Sequence, residues 1–288
     1  MNVSQGRSQA GQALPVYFVN AFAGGWYRGN TAAVVLLEEY PPDAALLALA
    51  REFGFSETAF LRRMAQGEYR IRWFTPEVEV PLCGHATLAS AAALFEIQAG
   101  KGGLILFQSL SGPLSAKRMG ESIELDFPSD PPQAHAADPA VLQALSQTTP
   151  RDTLFASGTR NLVVVYADPR PVLQMQPDFG ALAAFSGLPY FGIAVTAPGV
   201  EQDYICRYFA PWEGINEDPV TGSAQTCLAP YWSERLDKPI LRGFQASARG
   251  GAFEAEVAGS RVLISGRAFI YLRGEVAPGW SAGETESA

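Results

Sequence analysis

The sequence predicts an α+β fold built from two similar halves, and three ordered matches within the chain carry that expectation. Arg72-Trp73-Phe74-Thr75-Pro76 returns as Arg207-Tyr208-Phe209-Ala210-Pro211, 135 residues later. Gly84-His85-Ala86 returns as Gly222-Ser223-Ala224 at a spacing of 138, and Phe107-Gln108 as Phe244-Gln245 at 137. Matches in the same order at nearly constant spacing indicate an internal duplication of about 135 residues. In each copy an apolar strand stops at a proline, an acidic loop follows, and a glycine opens a small-residue helix. One such helix per half among mixed strands points to a sheet curled around it, two pseudo-symmetric strand barrels and not a doubly wound parallel sheet. The expected halves are 14–127, carrying Glu57 and the Gly84-His85 helix start, and 128–275, carrying Asp218 and the Gly222-Ser223 helix start. The last strand is free to return to the first half.

Element by element, residues 1–13 read as a disordered tail. Val16–Val19 is a strand, Phe22 to Asn30 a glycine-rich loop, and Thr31–Leu37 a buried strand by its β-branched and apolar content. A helix starts at Asp43, a candidate cap, with Leu46, Leu49, Ala50 and Phe53 at helical spacing, and Gly54 ends it. Phe55 to Thr58 is a tight turn into the strand Ala59–Arg62. A strand over 69–74 and a helix over Thr87–Phe95 follow, then the strands Leu104–Gln108, Pro113–Lys117 and Ile123–Phe127. Pro128–Pro132 reads as a linker. In the second half the expectations are helices near Val141–Ser146 and Phe179–Ser186 and strands at Leu162–Tyr166 and Gly192–Thr196. The repeated unit Tyr204–Trp232 is followed by strands at Leu241–Ala246, Ala252–Val257, Val262–Ser265 and Phe269–Leu272, and by a mobile tail from Trp280.

Composition excludes several classes. A net charge of −8 and a pI near 4.9, with no basic run, exclude a nucleic-acid face. The first residues lack the apolar stretch of a secretory signal, and no apolar run is long enough to span a bilayer. Three cysteines without framework spacing suggest a reducing, cytoplasmic setting. With two histidines and no Cys or His pairs at ligand spacing, no metal site is expected. Gly24-Gly25 leads into a strand, so it is not a dinucleotide loop.

The chemistry-bearing candidates gather at the repeated helix starts. The first N–H groups of a helix lack partners and the macrodipole is positive there, so Gly84, Ala86, Gly222 and Ala224 could offer backbone donors to a carboxylate. His85 and Ser223 occupy copied positions. The helix dipole disfavours an imidazolium, so His85 is expected neutral. Glu57 lies in an apolar turn whose desolvation would raise its pKa toward proton shuttling, or it merely closes that turn. Asp218 precedes Pro219 in the second acidic loop, with Glu77 and Glu79 near the matching place in the first. Glu213 and Glu217 are expected to be solvated. Cys83 could be a reactive thiol at a helix start, but the copied position is Thr221, so packing is the favoured role, as it is for Cys206 and Cys227.

Several stretches together resemble the PhzF-like family of phenazine-biosynthesis isomerase-like proteins: Gly29-Asn30-Thr31-Ala32-Ala33-Val34-Val35, Ser56-Glu57-Thr58-Ala59-Phe60, Arg72 to Pro76, Cys83-Gly84-His85-Ala86-Thr87, Glu217 to Ala224, and Gln245 to Gly251. The motifs cover about residues 14–275. Thr31 stands where the family usually has Pro, a change expected to affect only a loop. The resemblance implies a diaminopimelate-epimerase-like fold with the pocket between the halves. It implies Glu57 as acid/base, assisted by His85, Asp218 and Ser223, in a cofactor-free proton-transfer isomerisation. The leading expectation is therefore an isomerase of a small carboxylate-bearing substrate, a homodimer. Two other readings stand beside it: a two-base amino-acid racemase or epimerase using Cys83, and a non-catalytic binding protein on the same fold.

Overall fold

The computed structural model describes residues 13–97 and 103–281. The first half runs β1 (Leu14–Ala21), β2 (Asn30–Leu37), α1 (Asp43–Phe53), β3 (Glu57–Ala65), β4 (Glu68–Phe74), β5 (Glu79–Val80), α2 (Gly84–Ile97), β6 (Leu104–Ser109), β7 (Gly112–Met119) and β8 (Ser122–Pro128). The second half opens with β9 (Gln133–Ala134), α3 (Pro139–Leu145), β10 (Asp152–Ala156), β11 (Asn161–Val165), α4 (Pro169–Gln174), α5 (Phe179–Ala183) and β12 (Gly192–Pro198). It continues with β13 (Tyr204–Ala210), β14 (Ile215–Asp218), α6 (Gln225–Leu236), β15 (Ile240–Gln245), β16 (Gly251–Ala258) and β17 (Arg261–Val276).

α2 explains the first barrel. Eleven of its fourteen residues are buried, on every face, because it is built almost wholly of alanine and other small or apolar residues. A helix apolar all round needs walls all round. They are supplied by the ring β1-β2-β3-β4-β6-β7-β8-β17, which closes back onto β1. Polar atoms inside are satisfied locally: the Thr87 and Ser90 hydroxyls donate to the carbonyls four residues back, of Cys83 and Ala86.

The second half repeats the pattern. β2/β3 and β4/β6 are parallel in the first half, and β11/β12 and β13/β15 in the second, each flanked by antiparallel pairs. α6 packs on β15, β16 and β17. This ring stays open, since among the described residues no pairing joins β9 to β17. β17 serves both halves: its first part pairs with β8 and β16, and Ala268–Val276 pair with β1. The separate last strand expected at Phe269–Leu272 is therefore the continuation of one sixteen-residue strand.

Duplication reaches side chains. Arg72 forks onto Glu79 at 2.7 and 2.6 Å, and Arg207 forks onto Glu217 at 2.7 and 2.9 Å. Each guanidinium also lies 5.0 Å from a phenylalanine ring centre, Phe74 and Phe209 respectively. Glu217 is thus a half-buried ion-pair partner, not a solvated loop residue.

Several local expectations change. Asp43 does not cap α1; it is the first helical residue, and its carboxylate accepts from Arg72. α2 begins at Gly84, three residues earlier than expected, while Gly222-Ser223-Ala224 form a tight turn ahead of α6. Thr31 lies within β2, where its hydroxyl donates to Asn20, so this departure from the family pattern touches a strand and not a loop. The linker is pinned down. Pro230 inside α6 has no N–H for the Thr226 carbonyl, and the Asp130 N–H takes that carbonyl at 3.0 Å. The Asp130 carboxylate in turn accepts from Gly158 and Thr159. The expected terminal tails lie almost wholly outside the described residues; Trp280, the first residue of the second, packs on the α1 cluster. No helix among the described residues is long and apolar enough to cross a membrane.

Arg207 is more enclosed than Arg72, since it also donates to the Val172 and Met175 carbonyls. Arg207→Met should cost about 3–5 kcal/mol by leaving Glu217 and two carbonyls unpaired in a buried place. Arg207→Met with Glu217→Leu should recover part of that loss, and urea unfolding of the three proteins measures it.

Candidate functional site

The two repeated helix starts meet. A Cβ built on Gly84 would lie 3.0 Å from the Gly222 Cα, and one built on Gly222 would lie 3.2 Å from the Gly84 Cα. Backbone touches backbone here, and only glycine permits it on both sides. The Ser223 nitrogen is part of the same contact, 3.4 Å from the Cβ position on Gly84. Among the described residues no hydrogen bond is donated by the backbone N–H groups of Gly84, His85, Gly222, Ser223 or Ala224. Five unpaired donors thus lie along the first turn of α2 and the turn that leads into α6.

Glu57 opens β3, in register with Ala32 of the parallel strand β2, so its side chain stands close to where β2 begins. Its Oε2 lies 3.1 Å from Nε2 of His85, with the Glu57 side chain 12% and the His85 side chain 4% exposed. The approach is off the line of a good hydrogen bond, and Oε2 is a buried oxygen without a hydrogen-bond partner. Ser56 Oγ is 3.3 Å from the same Nε2. On the other side of the ring, Nδ1 is 3.5 Å from Cys83 Sγ and 3.1 Å from Asn30 Nδ2.

Asn30 ties this group to the second half. Its Nδ2 donates to Asp218 Oδ1 at 2.7 Å and to the Val220 carbonyl at 3.0 Å, which uses both of its protons. Ser56 donates to its Oδ1. The other Asp218 oxygen accepts from the Thr221 hydroxyl at 2.5 Å. Asn30 is held in place by Gly29, whose φ of +78° and contact with the Ala21 carbonyl admit no side chain. Arg249 crosses from the second half to clasp the Gly29 carbonyl and Asn20.

The electrostatics follow from burial and neighbours. Burial is the largest influence on Glu57 and pushes its carboxyl up, but His85, Ser56 and Cys83 together outweigh it, and the net lies below the usual glutamate value. Desolvation alone, the basis of the sequence reading, would have given the opposite direction. Burial opposes a charge on His85, yet Cys83 first and Glu57 next raise it well above the ordinary histidine value. Burial first, and Glu57 second, push the Cys83 thiol itself up to about 11. The expectation of a neutral imidazole set by the helix dipole alone therefore changes. Asp218 is raised to about 6, by burial first, with His85 pulling it down and Glu57 pushing it up.

Of the residues singled out in the sequence, Glu57, Cys83 and His85 are in one cluster, Asp218 joins it through Asn30, and the glycines meet beside it. The Ser223 hydroxyl makes no hydrogen bond among the described residues and stays half-buried next to Gly84. Sequence reasoning missed Asn30, Ser56, Thr221 and Gln245 as site residues. One signal was available for Asn30: each half opens the corresponding strand with asparagine, Asn30 in β2 and Asn161 in β11. Register narrows the place that matches Asp218, expected near Glu77 and Glu79, to the residue after Glu79. Trp73 faces Val80 where Tyr208 faces Asp218, so Val80 is the counterpart. As for cations, one ligand atom each from Glu57, Cys83 and His85 falls within 4.8 Å of the others, the one such cluster among the described residues.

The pair has a definite pH signature. Because the His85 pKa is raised, its contribution to stability is full below the ordinary histidine value and fades as pH rises through the folded value. Because the Glu57 pKa is lowered, its contribution is full above the ordinary glutamate value and fades as pH falls through the folded one. The protein has two histidines, so their NMR titrations are readily separated. His85 should titrate above the ordinary histidine value in the wild type. In Glu57→Gln, which removes that carboxylate, it should titrate lower than in the wild type.

Comparison with known proteins places this arrangement. The phenazine biosynthesis-like protein family (PhzC-PhzF) matches residues 19–274. An uncharacterized isomerase of Pseudomonas aeruginosa is 43% identical over 261 residues, covering 91% of this chain and 98% of that protein. A crystal structure of a PhzF-family phenazine biosynthesis protein from Enterococcus faecalis superposes with a TM-score of 0.86 at 41% identity, over 92% of this chain and 99% of that one. A hydroxyproline epimerase from Agrobacterium vitis, at 14% identity and a TM-score of 0.60 over 92% of each chain, shares the fold. The fold is thus diaminopimelate-epimerase-like, two pseudo-symmetric halves each wrapped around a helix, and the chain belongs to the PhzF family.

Proposed function

We propose that the chain is a cofactor-independent isomerase that moves a proton between carbons of a small carboxylate-bearing substrate, with Glu57 as the acid/base. The observation that carries this reading is the Glu57 Oε2: a buried carboxylate oxygen with no hydrogen bond, kept ionised by His85 beside two helix starts with unpaired N–H groups. The substrate carboxylate would bind at Gly84-His85 and Gly222-Ser223-Ala224, where backbone donors and two positive helix ends converge. Glu57 would take a proton from a carbon conjugated with the substrate's unsaturation, the C–H electron pair moving into that system. The same carboxyl would return the proton at the other end, so no net proton, electron or co-reactant is consumed. His85, Asp218 and the free Ser223 hydroxyl would hold the polar groups of the substrate. The relative's name as an isomerase agrees with this reading.

Two-base racemisation is less well supported. The Cys83 thiol is pushed up to about 11 by burial, away from the thiolate that a second base would need. Thr221, at the copied position, is committed to Asp218 and Gln245. Cys83→Ser should therefore leave turnover within a small factor.

The test of the acid/base is Glu57→Gln, which keeps shape and removes the proton carrier. Cyclic and amino carboxylates that raise the melting temperature supply the substrate candidates, since a ligand that binds the folded state stabilises it. On a substrate so found, turnover should drop by roughly 10²–10⁴-fold, the usual worth of general acid–base catalysis. Binding should persist, and wild-type turnover in D₂O should place deuterium on a product carbon. Undiminished turnover in Glu57→Gln would sink the assignment.

A further inference from the structure

Gln245, at the end of β15, is completely buried, and each of its hydrogen-bonding positions is used. Its Nε2 donates to the Asp218 carbonyl at 2.7 Å and to Thr221 Oγ1 at 3.2 Å. Its Oε1 accepts from the Thr221 N–H at 2.9 Å and from Cys206 Sγ at 3.9 Å. The orientation of the amide is chemically determined: a backbone N–H can only donate and a carbonyl can only accept, so the two ends cannot be exchanged. The side chain thereby staples both ends of the turn Asp218-Pro219-Val220-Thr221.

A second consequence concerns one proton. Thr221 Oγ1 already receives an N–H from Gln245, so its own hydrogen is left to point at Asp218 Oδ2, 2.5 Å away. Asn30 fills the other carboxylate oxygen. The copied glutamine of the first half, Gln108, instead donates to Glu68 at 3.1 Å on β4 and takes no part in the site. The duplicated residue has acquired a separate task in the second half alone.

We propose that Gln245 is a positioning residue of the proton-transfer site, fixing the Asp218 turn and committing the Thr221 hydroxyl as a donor to the Asp218 carboxylate. The inference rests on the reading of Asp218 as part of that site, and it is tested without substrate, so its failure is distinct from failure of the proposed reaction. The charged and titratable groups around Asp218 are His85 and Glu57 from the first half and Tyr208, opposite it in β13. None of these is altered by the variants below.

The experiment is a carboxyl ¹³C NMR titration of aspartate-labelled protein, with the Asp218 signal identified by its loss in Asp218→Asn. In the wild type it should titrate near 6. Gln245→Met, which keeps the volume but frees the Thr221 hydroxyl to turn away, should move the midpoint up by about one pH unit, the scale of one hydrogen bond to a charged group. Thr221→Val should raise it similarly. The double variant should match Thr221→Val alone, because Gln245 acts through that hydroxyl. An unmoved midpoint in Gln245→Met, or shifts that add in the double variant, would overturn the proposal. If Gln245→Met does not fold, Gln245→Asn, which withdraws the amide by one methylene, should give the same upward shift. Loss of folding in both would assign Gln245 a purely structural role and overturn the proposal as well.

Discussion

The contact between Gly84 and Gly222 is the constraint on which the rest of the molecule depends. Two helices begin within backbone distance of each other, one from each half. Each brings a positive macrodipole end, and positive ends repel. The arrangement is tolerable only with negative charge nearby. The chain supplies two carboxylates, Glu57 beside His85 of the first helix and Asp218 three residues ahead of Thr221 on the approach to the second. A substrate carboxylate would serve the same electrostatic need. A side chain on either glycine would hold the halves apart, and the unpaired N–H groups would no longer converge.

The duplicated frame makes the asymmetry of the site legible. The framework ion pairs, Arg72 with Glu79 and Arg207 with Glu217, are retained in both copies because both hold a strand to its returning edge. The chemistry is not retained. Thr58 faces Phe74 where Ile193 faces Phe209, so the counterpart of Glu57 is Gly192. That place is filled from the opposite strand: a Cβ on Gly192 would lie 2.2 Å from the Tyr208 hydroxyl, which is bonded to Asn161. By register Asn161 faces Gly192 as Ala32 faces Glu57, and this asparagine serves a closed core instead of a site. Conversely, Asp218 stands where the first half has Val80. Each half carries a carboxylate that the other lacks, so the acidic groups do not form a symmetric pair of bases.

Most of the frame could be read from the sequence, because it rests on local signals. The repeat fixed the two halves, β-branched runs marked β2 and β11, and the alanine-rich stretch marked α2. Glu57, His85 and the two glycines were found because they sit at strand or helix ends where exposed chemistry is expected. Asn30 and Gln245 were not singled out. Each is a neutral amide at the end of a strand, and its importance comes from partners up to 190 residues away that no local pattern encodes. Glu217 was misjudged for the same reason, since its partner Arg207 lies on the preceding strand and a loop carboxylate ordinarily faces water. The direction of the Glu57 pKa was also out of reach. Burial is visible in apolar neighbours, whereas the histidine that overrides it comes from a different element.

Two carboxylates share this buried region, and their environments push them apart, a circumstance that separates acid from base roles. Glu57 is drawn down by the imidazole; Asp218 is held up near 6 by burial, although Asn30 and Thr221 both donate to it. Near neutral pH Glu57 is therefore the anion available to accept a proton, and Asp218 is close to its own titration. A carboxylate arriving at the helix starts would add negative charge to this region and raise both values. The effect on Asp218 would be to protonate it, which limits the charge gathered there to what two helix ends and one imidazolium can balance. Glu57, with His85 at 3.1 Å, would move less and remain ionised. The unequal partners of the two acids thus allow a buried site to admit an anion while keeping one carboxylate ready to take a proton.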